Sequence, residues 1–212
     1  MILYLLVRGA IQVFSRLYWR LTIEGKEHIP PHGAFVLAPV HRSFIDFGLV
    51  SGVTRRRMRY MAKDSLWKVS WFGRLISYLG AYPVHRGAAD REALRRTVEV
   101  LQRGEPVVIF PEGTRRSGLV VENLFEGAAY VATKLRVPIV PVGIGGSERA
   151  MRKGEKLPRP VKITIVVGHP LYPPSPDAQH VSRRAVRELT GELQAEIQRL
   201  FDEAQKKAGA AS

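Results

Sequence analysis

The stretch EPVVIFPEGTRRSG, residues 105–118, is an unbroken apolar run that opens into a loop of charged and hydroxylated residues. A strand that alternates apolar and polar residues needs cover on one face only. A strand that is apolar throughout needs cover on both, the condition met in parallel sheets flanked by helices. Working outward, GAFVLAPV (33–40) and VPIVPVGI (137–144) read as further buried strands. RLTIEGKEHIP (20–30), RYMAKDSLW (59–67), GAYPVHRG (80–87) and RPVKITIVVGHP (159–170) add strands of lesser apolarity. Helical patterns alternate with them: SFIDFGLVSGV (43–53), WFGRLISYLG (71–80), ADREALRRTVEVLQRG (89–104) and LFEGAAYVATKLR (124–136). In the third of these, Ala93, Leu94, Val98 and Leu101 share one face and Gly104 is placed to end the helix. A C-terminal helix carries Val186, Leu189, Leu193, Ile197, Leu200 and Ala204 at spacings of three and four, which predicts packing on the domain. The alternation implies an α/β sandwich with a mostly parallel central sheet flanked by helices. In such sheets, ligand sites lie where the strands end. Both VHRSFID (40–46) and FPEGTRR (110–116) occupy that position.

The length of 212 residues allows one substantial domain. With 45% hydrophobic and 25% charged residues the chain is of ordinary globular composition. There is no cysteine, which excludes disulfides, thiolate metal sites and a cysteine nucleophile. Lys and Arg total 33 against 19 Asp and Glu, a formal charge of +14. That excess favours polyanionic partners: nucleic acid, an anionic membrane or phosphorylated small molecules. The spacings and aromatic runs of nucleic-acid modules are missing, so no nucleic acid is expected.

Residues 1–20, MILYLLVRGAIQVFSRLYWR, form a unit apart from the domain at 21–212. Arg8 and Arg16 interrupt the apolar stretches, far short of the ~20 residues of a membrane span. No small-residue cleavage site follows an apolar core, so a removable signal is not expected. Arg8, Gln12, Arg16 and Arg20, with Ser15 and Gly9, make a polar stripe; Leu3, Leu6, Val13, Phe14, Leu17 and Tyr18 populate the rest. Such a helix is expected to lie in the lipid headgroup region. The rival reading is that it buries its apolar face against its own domain.

The chemistry-bearing residues sit in two loops. In HRSFID, His41 and Asp46 are spaced five apart at a helix entrance, and Ser43 with Asp46 approximates a capping box. A catalytic pair and a plain cap both fit that pattern. In PEGTRRSG, Gly113 permits close backbone approach, Thr114 supplies a hydroxyl, and Arg115 and Arg116 suit phosphate oxygens; a basic surface turn fits equally. A serine-hydrolase elbow is not supported, since GGSER lacks the final glycine. GIGGSE breaks the dinucleotide pattern, and no phosphate-binding P-loop is present. Six scattered histidines without ligand spacing predict no metal; His28, His32, His169 and His180 read as surface or loop residues.

The ordered set HRSFID, GAYPVHRG, FPEGTRRSG and VPIVPVGI resembles the four blocks of the glycerolipid acyltransferases, in particular the PlsC-like 1-acylglycerol-3-phosphate acyltransferases. The likeness covers about residues 20 to 170, and the H-x-x-x-x-D and P-E-G-T-R motifs together carry its specificity. It implies a single glycerolipid-acyltransferase-like α/β domain with a membrane-associating N-terminus. It implies transfer of an acyl chain from a thioester to the free hydroxyl of lysophosphatidate, giving phosphatidate in phospholipid biosynthesis. By this resemblance His41 is the general base and Asp46 its orienting partner. Lys63, Arg86, Glu112, Gly113, Thr114 and Arg115 recognise the phosphorylated acceptor, and Pro138 and Pro141 shape a site wall. Acyl-CoA or acyl carrier protein is the implied donor, with no bound cofactor, and the implied location is peripheral or monotopic on the cytoplasmic side of the cell membrane. Backbone N–H groups near Gly113 or Ser43 are the candidate oxyanion donors. Val40 departs from the pattern, standing where many members have asparagine. Other phosphorylated acceptors, namely glycerol 3-phosphate or another lysolipid, fit the same blocks. A non-enzymatic basic protein that binds anionic lipid or nucleic acid is the rival from another class.

Overall fold

The computed structural model describes residues 2–84, 91–152, 154–174 and 181–209. Seven strands form one sheet: β1 (Thr22–Glu24), β2 (Val36–Pro39), β3 (Arg59–Lys63), β4 (Ala81–Val84), β5 (Val107–Val108), β6 (Ile139–Gly145) and β7 (Thr164–Val167). Their spatial order is β1-β7-β6-β2-β5-β3-β4. Strands β6, β2, β5, β3 and β4 are parallel to one another. β7 is antiparallel to β6 and parallel to β1, so the sheet is mixed at one edge. β2, β5 and β6 are buried throughout, which explains their continuous apolar runs.

The helices are α1 (Ile2–Tyr18), α2 (Asp46–Val50), α3 (Ser70–Tyr78), α4 (Arg91–Gln102), α5 (Gly127–Leu135), α6 (Ser147–Ala150) and α7 (Arg183–Lys207). α4, α5 and α7 pack together over one face. The alternation within strands assigns the other face to α1, α2 and α3. On β4, Tyr82 bonds Thr97 of α4, whereas Ala81 meets the space walled by α1 and α3. The four-residue α6 was not expected from the sequence, and the turn after β3 is a 3-10 helix at Asp64–Lys68.

α7 buries every residue expected of it, and Phe201 as well. Its backbone lies directly on β6: a Cβ on Gly143 or Gly145 would fall 2.2 or 2.1 Å from the carbonyl oxygens of Leu200 and Ala204. Gly143 and Gly145 of GIGG are therefore there for helix approach, while Gly146 has φ +86 and lies against the Lys162 carbonyl. On α4, Ala93 and Leu101 are buried with Leu94 and Val98 packed against the core, and Gly104 ends the helix at positive φ.

α1 is turned the other way. Part of its polar stripe faces the protein, while Gly9, Arg16 and Arg20 are exposed: Arg8 donates to the carbonyls of Ser51 (2.8 Å) and Thr54 (2.6 Å), and Gln12 donates to Gly48 O (3.2 Å) and Ser51 Oγ (2.9 Å). Gly48 and Gly52 give it room, since a Cβ on Gly52 would sit 2.2 Å from Gln12 Oε1. Leu3, Leu5, Leu6, Val13, Phe14 and Leu17 point to solvent, Leu6 at 65% and Leu17 at 77% exposure. The rival expectation, an apolar face buried on the domain, holds only for Tyr18 among the residues expected on that face; it packs against the core and donates to Pro158 O (2.8 Å). Among the described residues no helix is long and apolar enough to cross a membrane.

Candidate active site

β2 and β5 are adjacent and parallel, with Val36 opposite Val107 and Leu37 opposite Val108. The loops that leave their C-terminal ends therefore meet, although 71 residues separate His41 from Glu112. Backbone bonds join them: Arg116 N donates to His41 O at 3.0 Å, and His41 N donates to Glu112 Oε2 at 2.8 Å.

His41 and Asp46 are both buried, with Nδ1 and Oδ2 3.0 Å apart. The same Oδ2 accepts the N–H of Arg42 (2.8 Å) and of Ser43 (2.7 Å). An ionised carboxylate only accepts, so the Nδ1 proton points at Asp46, and in the neutral ring that tautomer leaves the lone pair on Nε2. Nε2 has no partner among the described residues. Phe110 and Phe47 lie against the imidazole, with centroids at 4.2 and 5.3 Å. The expected cap is half present. Asp46 reaches back to the Ser43 N–H, but Ser43 Oγ donates instead to Met151 O (2.7 Å), and the N-cap position falls on Ile45.

Arg42, passed over in the sequence, is the largest fully buried side chain in the protein's described part. Its guanidinium donates to Glu112 Oε1 (2.6 Å), to the carbonyls of Gly118 and Val120 (3.0 Å each) and to its own neighbour His41 O (3.2 Å). It rests on the Phe201 ring of α7, 4.9 Å from the centroid. From α7, Gln198 and Gln194 bond Leu119 and Val121 of the same loop. The signal in the sequence was a charged residue just after a buried strand, which requires an opposite charge, and the neighbouring loop offers Glu112.

Glu112, expected beside the acceptor, is wholly buried and has each oxygen bonded to a donor of the chain itself, so it braces the loop. Of the N–H groups near Gly113 and Ser43 expected as oxyanion donors, two are committed: Ser43 N to Asp46 and Gly113 N to Phe110 O (3.0 Å). Among the described residues, the N–H groups of Thr114 and Arg115 meet no acceptor. Gly113 has φ +66, and a Cβ there would come within 2.5 Å of the Phe125 ring, so both torsion and space require glycine. The Arg115 side chain is half-buried and makes no ion pair or hydrogen bond among the described residues. Lys63 ends β3 with its backbone opposite Val84, at the same sheet edge; its side chain, and Arg86 and His180 entirely, lie outside the described residues. Pro141 does not wall this site, being buried in β6 with its ring toward Gly168 beneath α7. Among the described residues no cluster of ligand side chains could hold a metal.

Beside the histidine, on the α1–α3 face, lies a cavity of about 600 Å³. Phe44 and Phe47 line the end next to His41; Ile11 and Phe14 of α1 and Phe72 and Ile76 of α3 form its flanks. Its lining is overwhelmingly apolar, and burial pushes the Tyr60 phenol in its wall far above the ordinary range, so that hydroxyl stays neutral. The size is that of a site for a molecule with a long apolar part.

Comparison with known proteins agrees with this geometry. The family model described as Acyltransferase matches residues 20–145. A 1-acyl-sn-glycerol-3-phosphate acyltransferase of Bacillus subtilis is 29% identical over 200 residues, covering 93% of this chain and 96% of that protein. One from Chlamydomonas reinhardtii is 30% identical over 186 residues, covering 85% of this chain and 55% of its own length. The chain thus spans nearly all of the first and about half of the second. The crystal structure of PlsC, the 1-acyl-sn-glycerophosphate acyltransferase of Thermotoga maritima, superimposes with a TM-score of 0.72 at 25% identity, covering 92% of this chain and 79% of that one.

Proposed function

The chain belongs to the acyltransferase family, and from that premise we propose that it acylates the free sn-2 hydroxyl of 1-acylglycerol 3-phosphate, forming phosphatidate for phospholipid synthesis. The observation that carries this reading is the His41–Asp46 pair, its proton directed to the carboxylate and its free nitrogen beside the basic loop. The names of the relatives point to the same acceptor.

In the reaction, His41 Nε2 takes the proton of the acceptor hydroxyl as that oxygen attacks the thioester carbonyl. Positioned proton transfer of this kind contributes on the order of 10² to 10⁴ in rate. Asp46 holds the ring and stabilises the imidazolium that forms. The carbonyl oxygen gains charge, and the free N–H groups of Thr114 and Arg115 are the donors on this loop that can meet it. Collapse of the tetrahedral adduct expels a thiolate, the thiol of coenzyme A or of acyl carrier protein, which leaves without a strong general acid. The uncommitted guanidinium of Arg115, with Lys63 and Arg86, holds the acceptor phosphate, and remote binding becomes orientation of the hydroxyl. The cavity beside Phe47 houses an acyl chain. α1 keeps the site at the bilayer: its exposed leucines enter the lipid while its basic residues favour anionic headgroups.

Incubation with radiolabelled acyl thioester and a panel of phosphorylated acceptors tests this. Lysophosphatidate should be the acceptor consumed, and His41→Ala should lower turnover by about 10²–10⁴ with vesicle binding intact. Robust transfer to glycerol 3-phosphate or another lysolipid, with none to lysophosphatidate, would overturn the acceptor; an active His41→Ala enzyme would overturn the mechanism.

A further inference from the structure

α1 is not the only surface that faces its apolar side outward. The 3-10 turn at Asp64–Lys68 buries none of its residues, and α3 buries only Gly73. A Cβ on that glycine would come within 2.8 Å of the Trp67 ring, so turn and helix lock together through it. Trp67 in turn donates to Ser77 Oγ at 2.8 Å. Turn and helix are thus held in shape with Leu66, Phe72 and Ile76 toward the cavity and Trp71 and Val69 outside, at 68% and 50% exposure. In water such exposure is unfavourable, and an apolar patch of this kind marks a docking surface.

We propose that the segment 64–78 is a second lipid-inserting edge, so that an anionic bilayer covers α1 and α3 together and the cavity between them opens into the acyl-chain region. The inference extends the α1 docking argued above. Three observations choose lipid as the occupant. First, α1 and α3 both wall one cavity, so each carries residues that line it and residues that face solvent. Second, the charge is complementary to anionic headgroups. From Ser65 through Ala89 there is no acidic residue, as there is none before Glu24, while Lys68 and Arg74 are exposed beside Val69 and Trp71. Third, an exposed tryptophan flanked by cations suits the headgroup boundary, where an amphipathic ring sits with one part apolar and one part wet. The consequence for the reaction is an entry route: an acyl chain can pass sideways from the membrane to Phe44 and Phe47 without crossing water.

The test uses the full chain and vesicles of phosphatidylglycerol and phosphatidylcholine with or without brominated acyl chains, which quench tryptophan on contact. Trp19 is buried and Trp67 half-buried, so the exposed Trp71 should carry the signal. Bromination is expected to quench bound protein, and Trp71→Phe to abolish about half or more of that quenching. Val69→Glu should weaken vesicle affinity about tenfold or more, the scale of losing one buried valine, with an unchanged thermal melt. If the protein sediments with vesicles but Trp71→Phe leaves the quenching intact, α1 docks alone and the second edge is wrong. If nothing sediments, α1 docking fails as well. Shielding of Trp71 that grows with protein concentration without lipid would assign this face to a second copy of the chain and overturn the proposal.

Discussion

α1 and α7 are both amphipathic helices, yet they dock with opposite faces. α7 presents Val186, Leu189, Leu193, Ile197, Leu200 and Phe201 to the core and ladders of Arg and Glu to solvent, such as Arg199 with Glu196 and Glu203. α1 presents Arg8 and Gln12 to the protein and its leucines to solvent. Amphipathicity therefore says only that a helix lies at a boundary. The hydrogen-bonding partners inside decide which phase lies beyond it. For α7 that phase is water; α1 is attached by polar groups to backbone carbonyls at 51 and 54, which leaves its apolar face exposed.

The contrast can be broken most forcefully from the α7 side. Phe201→Ala empties a fully buried site and removes the ring beneath Arg42. We expect a loss of about 3–5 kcal/mol, seen as a lower urea midpoint; a midpoint within error of the parent would mean that α7 is not core. On α1, Leu6→Ser with Leu17→Ser should weaken vesicle partitioning by about two orders of magnitude, given ~1.5 kcal/mol per leucine withdrawn from lipid. Stability in solution should stay within ~0.5 kcal/mol. Should the same pair destabilise the soluble protein instead, the outward orientation is refuted. The smallest effect should come from Arg8→Met, which removes the donors to Ser51 and Thr54. A loosening of α1 by about 1 kcal/mol is expected in hydrogen exchange, confined to that helix. Loss of protection across the whole sheet would instead place α1 in the cooperative core.

The sheet was legible because burial on both faces leaves an unmistakable run, as in VVIF and IVPVGI. The histidine–aspartate pair was legible for a different reason, namely that both residues lie in one short segment. The partner relation of Arg42 and Glu112 was not, because it depends on β2 and β5 being neighbours, and strand order is not written in local pattern. The bracing part of Glu112 was hidden on that point, since its two oxygens bond donors that strand order brings to it. The commitment of the Ser43 and Gly113 N–H groups was equally hidden, since a backbone donor looks the same in every sequence. The face by which α1 docks was undetermined too, as carbonyl acceptors at 51 and 54 leave no mark on residue identity.

The bracing of the basic loop by the last helix has a consequence for biosynthesis. A ribosome releases α1 before β2 and β5, and these long before the segment that carries Gln194, Gln198 and Phe201. A nascent chain can thus reach a membrane while its reactive loops still lack their support, and turnover should begin only after residues 183–207 have been added. Polypeptides arrested before Arg183 would contain every motif of the family and transfer no acyl group, an outcome that stalled-ribosome assays can read directly.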